Sequence, residues 1–252
     1  MSEILFHRDL AFAYLAVAGI VFVVLFFIPA AYGRYSRSGW GPTLNTRLAW
    51  VLMESPSVFL FAACLALSPR PVSPAAGLLG ALWLLHYLHR ALVFPFRMKM
   101  AGRPTPLVIV AMGFTFNCGN AYLNARWLYA LSPAGAFDGH GARVLAGAAL
   151  FLIGFTINYR ADRTLARLRA PGESGYRIPY GELYRWISCP NYFGELIEWG
   201  GFAIAAWSIP ALAFVVWTAA NLAPRARTHH RWYRATFADY PRERRALIPG
   251  VW

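Results

Sequence analysis

Polar side chains within three long apolar stretches are the residues of this chain best placed to do chemistry. Glu54 lies in the stretch near residues 48–67. The stretch near 75–96 carries polar and aromatic residues at offsets 0, 3, 4, 7 and 11, namely Trp83, His86, Tyr87, Arg90 and Phe94. The stretch near 192–207 opens with a third group at offsets 0, 4 and 7, namely Asn191, Glu195 and Glu198. Each spacing places its members on one helical face.

Such groups are costly in apolar surroundings and usually face the interior of a helical bundle. Because three separate stretches carry them, the pattern predicts one internal site that the three helices share. The alternative is a set of isolated interhelical pairs, such as Glu54 with Arg90.

A second set of polar residues lies at the ends of apolar stretches or in the segments between them. Its members are Asn158, Asp162, Arg169, Tyr176, Arg177, His229 and Tyr233. Arginine forks suit phosphates and aromatic faces suit flat rings. The set therefore predicts a phosphate- and ring-binding surface, with a solvated face beside anionic lipid as the alternative.

Other kinds of site are excluded by the motifs. The histidine pairs lack nearby Cys or an H-E-x-x-H pattern, so no metal site is predicted. Neither a G-x-G-x-x-G nor a G-x-x-x-x-G-K-[ST] sequence occurs, so a nucleotide must be held by other means. Three widely spaced cysteines give no disulfide framework and are typical of small buried side chains.

The composition indicates which elements must position these groups. The 252 residues are 58% hydrophobic, 16% aromatic and 14% charged, with a mean hydropathy of +0.41. Soluble domains are about 25% charged, so we predict an all-α integral membrane protein with one domain over residues 1–252. Apolar runs predict seven transmembrane helices near 10–32, 48–67, 75–96, 105–124, 144–159, 192–207 and 210–223. The last two share one run, which we divide at Ser208-Ile209-Pro210 because an interior proline breaks a helix.

Basic residues orient this seven-helix bundle. With the N-terminus outside and the C-terminus cytoplasmic, the inside segments hold 19 of the 24 Lys and Arg residues and the outside segments hold four. Positive charge favours the cytoplasmic side. The net charge of +13 is therefore a topology signal, and no nucleic-acid partner is predicted.

Motifs along most of the chain resemble the steroid 5α-reductases (3-oxo-5α-steroid 4-dehydrogenases). The stretches that carry the resemblance are Y-G-R at 32–34, E-S-P-S at 54–57, H-Y-L-H-R at 86–90, G-R-P at 102–104, L-R-A-P-G-E at 168–173, G-Y-R-I-P at 175–179, P-N-Y-F-G-E-L-I-E-W at 190–199, H-H-R-W-Y at 229–233, D-Y-P at 239–241 and R-A-L-I-P at 245–249. They occur in order and at compatible spacing, and the nonapeptide beginning at Asn191 is the most specific of them.

The resemblance implies a membrane reductase that uses NADPH to reduce the Δ4 double bond of a 3-oxo steroid. By the same resemblance, Glu54 and Tyr87 hydrogen-bond the C3 carbonyl. From their positions beside these two residues or on the polar helical faces, Met53, Trp83, Arg90 and Glu198 are predicted for the substrate pocket. The positions that it assigns to the cofactor are Tyr32, Arg103, Asn158, Asp162, Arg169, Tyr176, Arg177, Asn191, Glu195, His229 and Tyr233.

The implied chemistry accounts for these residue types. Hydride transfer to C5 moves charge onto the C3 oxygen, and donors aimed at that oxygen stabilise it. Tyr87 is such a donor, and we hypothesise that Glu54 is protonated, as is the oxyanion-hole acid of ketosteroid isomerase. Vertebrate members of the family commonly have Gln before the glutamate, where this chain has Met53, which cannot donate. The carbonyl then depends on Glu54 and Tyr87 alone.

Two other functions stay open on the sequence. One is an S-adenosylmethionine-dependent methyltransferase of the isoprenylcysteine carboxyl type, and the other is a non-enzymatic lipid-binding or transport protein. We expect a monomer in contact with membrane lipids, with the steroid arriving from the bilayer. The preference for arginine over lysine indicates a GC-rich bacterial source and hence the inner membrane. For a eukaryotic source, the endoplasmic reticulum membrane is expected.

Overall fold

The computed structural model describes residues 2–30, 33–35, 39–97, 104–168 and 175–252, and these residues are mostly helical. In chain order the helices are α1 (Glu3–Phe27), α2 (Thr46–Ala66), α3 (Pro74–Leu88), α4 (Phe94–Arg97), α5 (Leu107–Arg126), α6 (Gly141–Arg167), α7 (Pro190–Ala206) and α8 (Ile209–Thr236). A π-helical turn, His89–Val93, joins α3 to α4, and a second one, Trp127–Leu131, follows α5. Short 3₁₀ helices lie at Gly33–Tyr35 and Glu182–Arg185.

Four of these elements are long and apolar enough to cross a membrane: Glu3–Phe27, Thr46–Ala66, Pro74–Arg97 and Gly141–Arg167. The other three long helices are less clear-cut. Three asparagines lie within α5, α7 has only 17 residues, and α8 ends in an arginine-rich segment. The mostly helical fold is confirmed, and seven membrane crossings stay a prediction.

Several helix ends differ from the predicted spans. The first helix runs from residue 3 rather than 10, because Ser2 caps it by accepting a hydrogen bond from the Leu5 amide. It ends at Phe27, just before Ile28-Pro29, since a residue that precedes proline avoids the helical region. Helices α6 and α8 continue well beyond residues 159 and 223, because an apolar run marks where lipid contact ends and not where the helix ends.

The predicted division between the last two helices is confirmed. Trp207 adopts a left-handed conformation with φ of 48° and ends α7. Ser208 then caps α8 by accepting from the Ala211 amide at 3.3 Å, and Pro210 occupies the first turn.

Strands were not expected, but the structure contains one very short pair. Thr43–Leu44 pairs antiparallel with Thr105–Pro106. The pair ties the segment before α2 to the segment before α5, and two-residue strands are too short to leave a pattern in the sequence.

Helices α6 and α7 pack with their backbones in contact. A Cβ added to Gly154 of α6 would lie 2.2 Å from the Glu198 amide nitrogen, and one on Gly194 of α7 would lie 2.5 Å from the Asn158 amide nitrogen. Gly147 and Gly201 repeat the arrangement two turns away. Only glycine permits so close an approach, and the approach fixes the register of the polar groups on the two helices.

An aromatic core joins these helices to the rest of the bundle. Trp83 of α3 is fully buried, stacks on Phe61 at 4.7 Å between ring centroids, and contacts Trp199 edge-on at 5.4 Å. Its indole N–H donates to the Ser57 carbonyl at 2.8 Å. Most of α1, in contrast, presents exposed apolar side chains such as Phe12, Ile20 and Val23 to the surroundings, as expected of a lipid-facing helix.

Candidate active site

Glu54 on α2 and Tyr87 on α3 meet at the same face of α5. The side-chain amide of Asn117 donates to Glu54 Oε2 at 3.3 Å. One turn further along α5, the amide of Asn120 lies 3.4 Å from the Tyr87 hydroxyl. The carboxyl and the phenol therefore point into one region of the bundle, next to a single turn of one helix.

The neighbours of this pair are largely apolar. Tyr87 is buried, as is Met53, whose side chain packs on Gly113 of α5, where an added Cβ would lie 2.9 Å from the Met53 sulfur. Met53 belongs to a small apolar cluster with Ala49 and Val110. Trp83, predicted for the substrate pocket, lies in the fully buried aromatic core and contacts the Tyr87 ring at 4.9 Å.

Arg90 connects the region of Glu54 with polar groups of α6 and α7. Its guanidinium lies over the rings of Trp50 and Phe94, at 4.7 and 4.4 Å, and its Nη1 is 3.6 Å from Asp162 Oδ2. Glu54 also interacts electrostatically with Arg90. In the part of the chain that the structure describes, the direct ion pair of Arg90 is with Asp162 and not with Glu54.

Beyond Arg90, a hydrogen-bonded network joins four residues predicted to bind the cofactor. The Asn191 amide donates to Asp162 Oδ1 at 3.0 Å. The Asn158 amide donates to the Asn191 carbonyl at 3.0 Å and reaches Glu195 Oε2 at 3.5 Å. The glycine contacts between α6 and α7 allow these side chains to lie across from one another.

Glu198 makes a different contact. Its Oε1 lies 2.7 Å from His86 Nδ1, and both side chains are almost completely shielded from solvent. A buried pair of this kind needs close hydrogen bonding to offset the desolvation of its charged forms. The pair links α3 to α7 at the residue that precedes Tyr87.

His229 on α8 lies between two tyrosine hydroxyls. Tyr35 is 3.1 Å from Nδ1, and Tyr192 is 3.2 Å from Nε2. Burial raises the pKa of Tyr35 to about 12, so this phenol keeps its proton at neutral pH. A neutral imidazole donates from one nitrogen and accepts at the other, so both tyrosines are satisfied.

Tyr233, one turn beyond His229, belongs to an aromatic cage around Arg34. The Arg34 guanidinium lies over the rings of Tyr176, Trp232 and Tyr233 at 4.4, 4.1 and 5.0 Å. The cage brings together the segment after α1, the segment before Glu182–Arg185, and α8. Arg177, the neighbour of Tyr176, is exposed.

A cavity of about 170 Å³ lies beside this cage. Its walls include Arg34, Tyr35, Tyr176, Arg225 and His229. Two guanidinium groups and two phenols thus border one space, a donor set that suits a phosphate next to a flat ring.

The sequence-based predictions include several of these residues but not all of them. Tyr32, Arg103 and Arg169 lie outside the described residues. The residues that sequence reasoning missed are Asn117, Asn120, Arg34, Tyr35, Tyr192 and Arg225. The two asparagines had a readable signal, because with Asn124 they stand at offsets 0, 3 and 7 within a predicted span.

Comparisons with known proteins identify the family to which the chain belongs. A sequence profile of the family described as 3-oxo-5-alpha-steroid 4-dehydrogenase matches residues 103–252. A steroid 5-alpha-reductase of Arabidopsis thaliana is 40% identical over 238 residues, which cover 91% of this chain and 90% of the relative. The 3-oxo-5-alpha-steroid 4-dehydrogenase 1 of Bos taurus is 43% identical, with 95% of each chain covered, and that of Homo sapiens is 38% identical, with 87% and 85% covered. This chain therefore belongs to the steroid 5-alpha-reductase family of membrane oxidoreductases.

Proposed function

We propose that the protein uses NADPH to reduce the Δ4 double bond of 3-oxo-Δ4-steroids to 5α-3-oxosteroids, with Glu54 and Tyr87 polarising the C3 carbonyl. The observation that carries the proposal is that this carboxyl, from α2, and this phenol, from α3, contact asparagines on the same turn of α5. Two donors that converge from different helices fit a single ketone oxygen.

The reaction makes specific demands on these two side chains. When hydride reaches C5, electron density moves through C4 onto the C3 oxygen and gives an enolate. Hydrogen bonds to that oxygen stabilise the enolate more than the ketone, and most strongly where water is excluded. Tyr87 donates its phenol proton, and Glu54 donates when its carboxyl is protonated. Protonation of C4, with water as the proton source, completes the reduction.

The cofactor is proposed to bind next to this pair and towards α8. When bound, NADPH supplies the hydride. Asn158, Asp162, Asn191 and Glu195 offer amides and carboxylates that suit hydroxyl and carboxamide groups. The cavity beside Arg34 suits a phosphate or a single ring, and the donor set there fits one end of a dinucleotide. The remaining residues proposed for cofactor binding are Tyr32, Arg103, Arg169, Tyr176, Arg177, His229 and Tyr233.

Arg90 is proposed to separate the two parts of the site. Its ion pair with Asp162 lies on the cofactor side, and its electrostatic contact with Glu54 lies on the substrate side. Three further residues are proposed to shape the substrate pocket: Met53, Trp83 and Glu198. Trp83 does so through its contact with the Tyr87 ring, and Glu198 through its pairing with His86, the neighbour of Tyr87.

The membrane arrangement is proposed as one seven-span, monomeric domain with the N-terminus outside and the C-terminus cytoplasmic. The four helices that can cross a membrane and the excess of basic residues on one side support it. The apolar steroid then enters from the bilayer, and the anionic cofactor enters from the basic face. A pair of compartment-sensitive reporters fused to the two termini tests the orientation. Equal signals from one side would contradict it.

Purified protein in detergent provides the test of the activity. NADPH oxidation should depend on a Δ4-3-oxo steroid such as testosterone, and the product should have the 5α configuration. S-adenosylmethionine, the ligand of the rival methyltransferase function, serves as the matched ligand in a thermal-shift comparison and should give no stabilisation. A 5β product, or no oxidation with any Δ4-3-oxo steroid, would contradict the proposal.

A further inference from the structure

We propose that Asn117 and Asn120 of α5 are positioning residues that direct the protons of Glu54 and Tyr87 towards the ketone oxygen. This inference rests on the proposed function and extends it to side chains that neither the motifs nor the comparisons assign. Both asparagines are buried, and each contacts one of the two proposed donors.

The orientation of the Asn117 amide is fixed by its neighbours. Its Nδ2 donates to the Met53 carbonyl at 2.7 Å, and a backbone carbonyl can only accept. Its Oδ1 accepts from the Ser57 hydroxyl at 2.8 Å. The NH₂ group must therefore face α2, where it also reaches Glu54 Oε2.

This contact determines where the Glu54 proton resides. An oxygen that accepts a hydrogen bond from an amide acts as the carbonyl oxygen of a neutral carboxyl group. With Oε2 in that role, the acid proton is carried by Oε1 and is available to the substrate ketone.

The Asn120 amide is fixed by Asn124 in the same way. Asn124 Nδ2 donates to the backbone carbonyl and to the Oδ1 of Asn120, both at 3.0 Å. Because Asn120 Oδ1 is already an acceptor for Asn124, its NH₂ group faces the Tyr87 oxygen. That oxygen then accepts from Asn120, so the phenol proton is directed to another acceptor. The Ser57 hydroxyl, which interacts with the Tyr87 side chain, is such an acceptor before the steroid binds, and the ketone oxygen takes its place in the complex.

The two amide contacts at 3.3 and 3.4 Å are longer than most hydrogen bonds. Catalytic hydrogen bonds are often long before the ligand is bound and tighten around it. Together the amides leave one donor hydrogen on each of Glu54 and Tyr87, so a ketone that accepts two hydrogen bonds completes the arrangement.

The experiment compares Asn120→Leu with Cys118→Ala. Leucine branches at Cγ as asparagine does but cannot donate or accept a hydrogen bond, so the Tyr87 phenol is no longer held with its proton towards the ketone. We expect kcat for steroid reduction to fall about 10- to 100-fold, with the KM for NADPH unchanged. Cys118 lies between the two asparagines on the same helix and is half-buried. Its replacement should leave kcat within about twofold.

A binding measurement separates positioning from a merely structural role. Wild-type protein should bind a 3-oxo steroid more tightly than the 3-deoxy steroid of the same skeleton. Asn120→Leu should lose this preference and keep its affinity for the 3-deoxy compound, which also reports that the variant is folded. In a Tyr87→Phe background, Asn120→Leu should have no further effect on the preference. Asn117→Leu provides the parallel test on Glu54.

The outcomes divide clearly. Equal losses of affinity for both steroids, or kcat values for Asn120→Leu and Asn117→Leu that match Cys118→Ala, would overturn the inference while the proposed function stands. A wild-type protein that reduces no 3-oxo steroid and does not prefer the ketone would overturn the proposed function itself.

Discussion

Replacement of Gly154 by alanine is expected to disable the enzyme by spreading α6 from α7. The added Cβ would lie 2.2 Å from the Glu198 amide nitrogen and 2.5 Å from the Gly194 carbonyl oxygen. Ordinary contact begins at 3.4 Å, so the helices must separate locally by about 1.2 Å. Neither neighbouring atom belongs to a flexible side chain, and the strain cannot be relieved by a rotamer change.

The separation has a calculable effect on the polar network. The side-chain amide of Asn158, one turn from Gly154, donates to the Asn191 backbone carbonyl at 3.0 Å. A displacement of about 1.2 Å breaks that hydrogen bond. Overpacking costs about 1–3 kcal/mol and a lost hydrogen bond about 1 kcal/mol, so we expect a loss of about 2–4 kcal/mol in stability. A misplacement of about 1 Å in a site costs about 100-fold in rate, and we expect that loss in kcat/KM.

Gly200 on α7 is the matched control, because a Cβ added there has no atom within 4 Å. Alanine is favoured over glycine in a helix by about 0.5–1 kcal/mol, so Gly200→Ala should raise stability slightly and leave turnover unchanged. Thermal unfolding in detergent and steroid-dependent NADPH oxidation measure both quantities. If Gly154→Ala and Gly200→Ala behaved alike, backbone contact between α6 and α7 would not be what positions the site.

Two further predictions concern the region proposed to bind the cofactor. Arg34→Lys keeps the charge but loses the flat guanidinium that lies over three rings at 4.1–5.0 Å. The KM for NADPH should therefore rise about 5- to 10-fold with little change in kcat. An unchanged KM in an NADPH titration would contradict this role. Burial raises the pKa of Tyr35 from its ordinary value to about 12, so its phenol stays protonated below that pH. The ratio of NADPH affinities between wild type and Tyr35→Phe should therefore stay constant from about pH 6 to about pH 9. A ratio that changes across this window would place the ionisation of Tyr35 within it.

The sequence predicted the helices well where apolar runs coincide with them. Pro210 and its flanking Ser208 predicted the break between α7 and α8, because a proline cannot continue a helix and a serine caps one. The left-handed Trp207 in that break was not predictable, since this conformation normally selects glycine. Helices α6 and α8 continue into polar sequence, where periodicity is weak and hydropathy gives no signal.

Spacing within single helices also predicted which polar residues share a helical face. Offsets of four and seven identified Asn191, Glu195 and Glu198, but the choice of partners depends on how the helices are registered. Arg90 pairs with Asp162 rather than Glu54, and Glu198 pairs with His86, because α3 and the turn after it pack against α6 and α7, which no local pattern contains.

Uncharged residues were the hardest to recognise. Asn117 and Asn120 carry no charge and lie in an otherwise apolar run. Because burying an uncharged amide costs less than burying a carboxylate, they are a weaker indication of a site. Their importance follows from which atoms they contact, and contacts across helices appear only in the folded chain.

The most direct test of the central claim is the rate of steroid reduction by Glu54→Leu beside Glu54→Gln, at saturating NADPH and steroid. Leucine removes the donor, and we expect kcat to fall by about 100-fold or more. Glutamine keeps a donor of similar shape and should retain most of the rate that leucine loses, with the KM for NADPH unchanged in both variants. Reduction by Glu54→Leu at the wild-type rate would contradict the proposed role of Glu54.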